Sequence, residues 1–309
     1  LDLNRDHMKL DSPEARAFAG LLSGYDPHVT VDLHTTNGTR HAYHLTYAPA
    51  LHPGTDPAIL ARSRGDWLPA LTTALHDATG WHGWHYGNAF TPEGGEPGWY
   101  TFDHRPRFNN NYVGLRNRIA FLSEAYSYAS FEERVRVTLA FVEAILDLAA
   151  RRGAELRDVV AAADRATHDL ADRRLPLRAR VARGPMTEIL MGEAEERLSP
   201  VSGRRYLARL PVVRPTRTRD HTTFEGIEPE RVPAEYYVPP TLTAVIDRLA
   251  LHGIRTRTLD APTTLRGERF RVDSTRVAGQ EFQGHHEREL FGAWEPAERT
   301  LPAGTVVVP

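Results

Sequence analysis

Two residues far apart in the chain have the types and positions from which a hydrolytic site could be built. His34 lies near the end of residues 28–35, which alternate apolar and polar side chains, and Glu124 directly follows the apolar run of residues 118–123. Both segments are typical of β-strands, the second of a buried one. A neutral imidazole is a common zinc ligand, and a carboxylate beside zinc can accept the proton of a water that attacks a carbonyl. The pair indicates hydrolase chemistry; taken alone, either residue could be an ordinary polar side chain at a strand end.

The elements that would position these two residues alternate along the chain. Capping residues, helical spacing of apolar side chains and terminal glycines predict helices between residues 11 and 24, between residues 56 and 80, and over residues 131–152. Strands that alternate with helices predict an α/β fold, and sites in open α/β sheets form at the carboxyl ends of strands. We therefore expect a mixed, mostly parallel sheet flanked by helices, with His34 and Glu124 at one rim.

The rest of the chain is less periodic. A further helix is predicted near residues 155–174, and the sequence up to residue 240 is rich in Arg and Pro, which is typical of a linker or an irregular strand-rich region. A helix around residues 242–251 and short strand-like pieces after it predict a smaller α+β module. We therefore predict three parts: a first domain at residues 1–153, a helix plus an irregular linker region at residues 154–240, and a small module at residues 241–309.

Composition and charge exclude several classes of function. The 309 residues include no Cys, which excludes a thiol nucleophile, a thiolate metal site and a disulfide framework. The formal net charge of −2 and the mixing of Arg with Glu and Asp give no basic face, so nucleic acid is not an expected partner. No apolar run approaches the roughly 18 to 20 residues that cross a bilayer, so a membrane is not expected either. Because the chain begins without Met and ends within a predicted strand, we expect a fragment of a longer protein.

Three segments carry a resemblance to a known family. They are LNRDHMKL at residues 3–10, VTVDLHTTNGT at residues 29–39 and NYVGLRNRIAFLSEAYSY at residues 111–128. In this order, and with the predicted helices between them, they resemble the zinc metallocarboxypeptidase family typified by pancreatic carboxypeptidase A. The resemblance covers roughly residues 1–150. It implies an N-terminally truncated carboxypeptidase-like α/β domain and an enzyme that removes C-terminal residues from peptides.

The resemblance implies roles for five residues. Asn4 and Arg5 match the Asn-Arg pair that holds the C-terminal carboxylate of the substrate, and a guanidinium fork fits a carboxylate in a bidentate way. His34 matches a zinc ligand, and Glu124 matches the general base. Tyr112 matches a catalytic Tyr of a mobile loop, although it lies closer in sequence to the Glu than in the pancreatic enzymes. The expected cofactor is Zn²⁺, and the expected partner is a peptide with a free C-terminal carboxylate.

One departure from the family concerns the metal. The other two zinc ligands of the family form a His-x-x-Glu motif upstream of the Asn-Arg pair, so we expect them before Leu1. The one His-x-x-Glu in this chain, from His286 to Glu289, lies outside the catalytic part and is interpreted as a coincidence. Since zinc hydrolases use three protein ligands, the fragment alone is expected to bind zinc poorly and to be inactive. Residues 241–309 resemble the accessory domain of some bacterial members, and a secreted or periplasmic location would follow from that analogy only.

Other readings of the same residues stay open. A related deacylase could cleave N-acyl amino acids by the same zinc chemistry, and a metal-free peptide-binding module could keep the cleft without the reaction. Asp32 could orient a metal ligand or cap a neighbouring helix. A set of histidines in predicted loops is interpreted as solvated or facing the substrate; they are His41, His44, His52, His82 and His85.

Overall fold

The computed structural model of the protein describes residues 1–36 and 38–309 and divides into two compact units. The first unit combines Leu1–Asp26 with Pro233–Pro309, and the second is Pro27–Val232. The predicted division after residue 153 falls within the second unit. Asn37, which belongs to the segment that resembles the carboxypeptidases, lies outside the described residues.

Three of the helices in the described part of the chain begin directly after a residue whose side chain caps them, namely Ser12, Asp56 and Ser130. The helices are α1 (Pro13–Tyr25), α2 (Pro57–Leu60), α3 (Leu68–Thr79), α4 (Asn109–Gly114), α5 (Phe131–Thr167) and α6 (Thr243–Leu251), with a 3-10 turn at Leu3–Arg5 and a π-helical segment at Ala61–Trp67 that joins α2 to α3. The Ser12 hydroxyl accepts a hydrogen bond from the backbone N–H of Ala15 at the start of α1. Ser130 and Glu133 form a reciprocal capping box at the start of α5. Both caps satisfy backbone donors that a helix leaves without an internal partner.

The longest helix, α5, contains the two helices that the sequence predicts on either side of Gly153, joined at a kink. Its backbone leaves helical geometry at Arg152, which has φ −119° and ψ 22°. The guanidinium of Arg152 binds the carboxylates of Asp66 and Glu155, each with a shortest contact of 2.7 to 2.8 Å. The predicted boundary at Gly153 therefore agrees with the position of the kink to within one residue.

The strands are more numerous than the sequence analysis predicts. They are β1 (Val29–Thr35), β2 (Leu45–Ala48), β3 (Gly83–His85), β4 (Asn88–Phe90), β5 (Gly98–Tyr100), β6 (Ile119–Ala125), β7 (Arg174–Val181), β8 (Met186–Met191), β9 (Ala194–Leu198), β10 (Arg205–Arg209), β11 (Arg214–His221), β12 (Phe224–Arg231), β13 (Tyr236–Val238), β14 (Arg257–Thr258), β15 (Thr263–Val277), β16 (Arg288–Leu301) and β17 (Val306–Val308). Of the two interpretations of the region before residue 240, the strand-rich one agrees with the structure, because β7 to β12 lie there.

The main sheet, which consists of β1, β6, β2 and β3 in that order, organises the second unit. β1 and β6 are parallel, as are β2 and β3, whereas β6 and β2 are antiparallel. The apolar face of this sheet packs against α3 and α5, and the stacked rings of Tyr47 and Phe141, with centroids 6.0 Å apart, lie in the resulting core. Burying each such large side chain contributes about 1.5–3 kcal/mol.

The remaining sheets are small. In the second unit they are β4-β5-β11-β8, β10-β9 and β12-β7, and in the first unit they are β13-β17-β14 and β15-β16. Apart from β5 with β11, the strand pairs of these sheets are antiparallel in the described part of the chain. The predicted mixed α/β class is confirmed, but the parallel pairing predicted for the fold is largely confined to the main sheet. Neighbouring antiparallel strands need only short connections, and the Arg- and Pro-rich sequence before residue 240 contains such connections.

Candidate functional site

Two parallel strands bring the predicted zinc ligand next to the predicted base. In the register of β1 and β6, His34 is the partner of Glu124, one position before the pair of Thr35 and Ala125. Side chains in register point to the same face, and alternation along the strand makes this the face opposite to that of Phe121, which packs into the core. The register therefore places His34 and Glu124 at one rim, as the sequence predicts, whereas their roles stay predictions.

A carboxylate of its own strand lies beside the ring of His34. Asp32 lies two residues before His34 on the same face, and its Oδ2 is 2.9 Å from the Nε2 of His34. The two atoms are at ion-pair distance but do not have hydrogen-bond geometry, so the contact does not fix the tautomer of the imidazole. The two roles considered for Asp32 stay predictions.

Burial changes the acidity of Glu124. The residue is 9% exposed, and burial raises the pKa of its carboxyl to about 7; His34 lowers this pKa and Asp32 raises it. Its Oε2 is buried and has no hydrogen-bond partner among the described residues. A carboxyl with a pKa near neutrality can exist in both protonation states at physiological pH. This is the property that a general base requires.

The sequence analysis did not predict Thr46 as part of this site. Thr46 of β2 is the antiparallel partner of Glu124, is fully buried, and has no hydrogen-bond partner for its Oγ1 within the described residues. Its hydroxyl thus adds a buried polar group beside the carboxylate. The alternation of Leu45 and Tyr47 with a β-branched residue between them is the signal that could have identified this strand.

Tyr112 does not lie on a loop, contrary to the prediction. It belongs to α4, it is 5% exposed, and its hydroxyl is 3.4 Å from the Nη1 of Arg116. The neighbouring Asn111 ties this helix in place, because its Oδ1 accepts a hydrogen bond from the backbone N–H of Leu51 and its Nδ2 donates to the carbonyl of Asp103. The loop position that the resemblance implies for this Tyr is therefore wrong, and its catalytic role stays a prediction.

Asn4 and Arg5 belong to the first compact unit, whereas His34 and Glu124 belong to the second. Both lie in the 3-10 turn near the beginning of the chain. Asp2 accepts a hydrogen bond of 3.0 Å from the backbone N–H of Asn4 and forms an ion pair with the guanidinium of Arg5. Their predicted role in binding a carboxylate stays a prediction.

The histidines predicted in loops fall into two groups. His41 and His44 are buried, at 3% and 5% exposure, so the interpretation that they are solvated or face the substrate is wrong. Burial is the largest cause that lowers the pKa of His41 to about 3 and that of His44 to about 4. Burial similarly lowers the pKa of His52 to about 4 and that of His85 to about 3, and it also lowers the pKa of His82, which is more exposed. The buried members are neutral at physiological pH and act as packing groups, as the ring of His44 stacked on Trp81 illustrates.

An open cleft of about 610 Å³ adjoins the end of β1. His34 is part of its lining, and most of the other lining residues are apolar side chains of the strand ends and of α5. Leu33 and Leu139 are about half exposed in this cleft, at 51% and 54%. The cleft lies on the face of β1 that carries Leu33 and packs against α5, opposite to the face of the His34 side chain, and it can accept an apolar group there.

Within the described ranges, no group of three or more His, Asp or Glu side chains is arranged to hold a metal ion. His286 and Glu289 of the predicted coincidental motif have other partners, since His286 contacts the carbonyl of Ala278 and Glu289 pairs with Arg276. In the part of the chain that the structure describes, no helix has both the length and the apolar composition of a membrane span. Comparison of the chain with protein-family models, with curated proteins and with solved structures gives no match.

Proposed function

We propose that the protein is a zinc-dependent hydrolase that removes C-terminal residues from peptides. One observation carries the proposal: His34 and the buried carboxyl of Glu124 are partners in register at the carboxyl end of two parallel strands. The resemblance of the three segments to the metallocarboxypeptidases supports it. In this proposal the main sheet is part of a carboxypeptidase-like sheet.

The residues at the rim fit one part of a zinc site. His34 would be one ligand, with Asp32 beside its ring, and the other ligands would come from a His-x-x-Glu motif of the kind that the family places upstream. Zinc, when bound, would polarise the peptide carbonyl and lower the pKa of the attacking water. The imidazole of His34 and the buried acceptor of Glu124 are what this chain contributes.

The proton chemistry is assigned to Glu124. Its carboxylate accepts a proton from the water that attacks the carbonyl carbon, and the resulting carboxylic acid donates that proton to the nitrogen of the departing amine. Burial raises the pKa of this carboxyl to about 7, so that it can both accept and release the proton near neutrality. Asn4 and Arg5 would bind the terminal carboxylate of the peptide, and Tyr112 would contact the substrate.

The experiment that tests the proposal replaces the base in the full-length protein. Glu124→Gln removes the proton acceptor at nearly constant volume, so we expect kcat on peptides with a free C-terminus to fall about 10²- to 10⁴-fold. The matched control is Glu143→Gln, which changes an exposed residue of α5 and should leave kcat unchanged. Near-normal turnover of the Glu124 variant would contradict the proposed base. C-terminally amidated peptides and N-acyl amino acids in the same panel separate a carboxypeptidase from a deacylase.

A further inference from the structure

A second pocket opens where the chain leaves β6 for α5. Its volume is about 520 Å³, and it is lined on one side by the β6–α5 connection and the first turn of α5 and on the other side by β10 and Arg197 of β9. We name it the arginine pocket, after Arg134, Arg197 and Arg209 in its lining. Two of these arginines come from the Arg-rich region that the sequence analysis interpreted as a linker or an irregular strand-rich region.

Positive charge predominates in the arginine pocket. Glu133 is the acidic residue of the lining, and its carboxylate accepts a 2.7 Å hydrogen bond from the backbone N–H of Ser130. Arg197 is already paired with Glu195. Arg134 and Arg209 thus provide two cations and Glu133 one anion, so that the lining suits a ligand with one negative charge.

Several hydrogen-bond donors of the arginine pocket lack an acceptor. The Nε atoms of Arg134 and Arg209 and the hydroxyl of Ser127 are buried and have no hydrogen-bond partner among the residues that the structure describes. One amino group of Arg209 does donate to the carbonyl of Ala42, over 3.2 Å, which fixes the guanidinium in place. Buried donors are nearly always satisfied in folded proteins, so donors left over in a pocket indicate that a ligand or water completes them.

The backbone couples this pocket to the rim that carries Glu124. Ser127 follows Glu124 by three residues in the sequence. At the roughly 3.6 Å per residue of an extended chain, their Cα atoms lie within about 11 Å of each other. The N–H of Ser127 is 3.4 Å from the Oγ1 of Thr36, and the N–H of Arg209 donates to the carbonyl of Tyr128 over 2.6 Å. A peptide bound at the rim can therefore reach the pocket with a neighbouring side chain.

We propose that the arginine pocket binds the carboxylate of an acidic side chain of the peptide substrate. The two oxygens of a carboxylate match the planar donor arrangement of a guanidinium. Arg134 and Arg209 together with Glu133 carry one net positive charge, which a monoanion neutralises. The enzyme would therefore prefer substrates with Asp or Glu near the cleaved bond. That the ligand is a peptide rests on the proposed function. Inorganic phosphate also presents negatively charged oxygen atoms to a guanidinium, so it is included in the test as a competing probe.

The test uses two probes that differ in one group. N-acetyl-glutamate α-amide carries a side-chain carboxylate, and N-acetyl-glutamine α-amide carries the neutral isostere in its place. Titration calorimetry on the full-length protein should show at least about tenfold tighter binding of the acidic probe, since a charge-assisted bidentate pair is strong enough for this factor. In Arg134→Gln and in Arg209→Gln the preference should fall to near one. Arg136→Gln is the matched control, because Arg136 lies on the same helix and its side chain is 61% exposed beside Glu132.

Three results would overturn the proposal. The first is equal binding of the two probes by the unchanged protein. The second is a preference that survives in both pocket variants while their circular dichroism remains native; Arg209→Lys, which keeps the charge and loses the fork, checks the result if Arg209→Gln does not fold. The third is inorganic phosphate that binds in the pocket and that the acidic probe does not displace.

The pocket and the proposed reaction can fail separately. Probe binding needs no turnover, so it is measured in Glu124→Gln as well as in the unchanged protein. Normal turnover of Glu124→Gln together with acidic-probe selectivity would refute the general base and leave the pocket standing. If Glu124→Gln is inactive but Arg134→Gln cleaves peptides with Glu or Gln before the cleaved bond at the same relative kcat/KM as the unchanged protein, the pocket assignment fails alone.

Discussion

The main sheet and the β15–β16 hairpin both present acidic side chains on strands, but in opposite surroundings. Glu124 of the main sheet is buried, and burial raises the pKa of its carboxyl to about 7. Glu298 and Glu295 of the hairpin are paired across the strands with Arg266 and Arg269, and the guanidinium of Arg269 lowers the pKa of Glu295. The comparison shows that burial raises the pKa of a glutamate carboxyl, whereas arginine and water at the surface stabilise its charged form.

Acid should destabilise the region of the main sheet more than any single substitution considered below. The pKa of His41 and of His85 is lowered to about 3 and that of His44 to about 4, so below pH 6.5 the unfolded chain binds protons that the folded chain does not. Their contribution to the free energy of unfolding is complete above pH 6.5 and is lost as the pH falls toward 3. Each histidine contributes a slope of about 1.4 kcal/mol per pH unit, or about 4 for the three together.

Urea unfolding between pH 7.5 and 4.5, followed by fluorescence, measures this slope. His85→Gln is the informative variant, because removal of one titrating group should reduce the slope by about 1.4 kcal/mol per pH unit. A free energy of unfolding that does not change between pH 6.5 and 4.5 would contradict the burial of these histidines. Glu124 acts in the opposite sense, since its raised pKa makes stability fall as the pH rises from 4.5 to about 7.

Truncation of an aromatic ring should have the next largest effect, and the loss of stability should be greater in the main sheet than in the hairpin. Phe141 is fully buried between α5 and the main sheet, so Phe141→Ala should cost about 3–5 kcal/mol. Phe270 of the hairpin contacts Trp294 edge-on, with centroids 5.4 Å apart, and Trp294 is 43% exposed. Phe270→Ala should therefore cost about 1 kcal/mol. Urea midpoints of the two variants compare them directly, and equal losses would mean that the hairpin has a core of its own.

Removal of a hairpin ion pair should have the smallest effect. The side chains of Arg266 and Glu298 are 88% and 55% exposed, and their atoms approach to 2.8 Å. Because water and salt screen such a pair, Arg266→Gln should leave the thermal midpoint within the error of a calorimetric scan. A clear loss of stability, one that shrinks in high salt, would show that the hairpin depends on its charges.

The sequence predicts the main sheet better than the strands after residue 170. Residues 28–35 and 118–123 alternate or cluster apolar side chains, and β1 (Val29–Thr35) and β6 (Ile119–Ala125) lie where these patterns indicate. The hairpin strands are rich in charged residues on both faces, because they are exposed, so periodicity revealed only the piece at residues 268–274. An apolar pattern reports burial, and strands that bury little leave little pattern.

The candidate site could be predicted only in part for a similar reason. The position of His34 and Glu124 at strand ends follows from local sequence, and so does their expected meeting at one rim. Their pairing in register, the contribution of Thr46, and the burial of His41 and His44 depend on tertiary contacts between distant segments. The loop position of Tyr112 follows from the resemblance alone, whereas the hydrogen bond from the N–H of Leu51 to Asn111, which holds its helix, joins segments that are distant in sequence.

Zinc content and turnover, measured in parallel on the full-length protein and two variants, test the central claim most directly. His34→Ala should lose both zinc and activity, because it removes a metal ligand. Glu124→Gln should keep zinc at the level of the unchanged protein and lose about 10²- to 10⁴-fold in kcat, because it removes only the proton acceptor. A His34→Ala protein that retains full zinc and normal kcat would contradict the account.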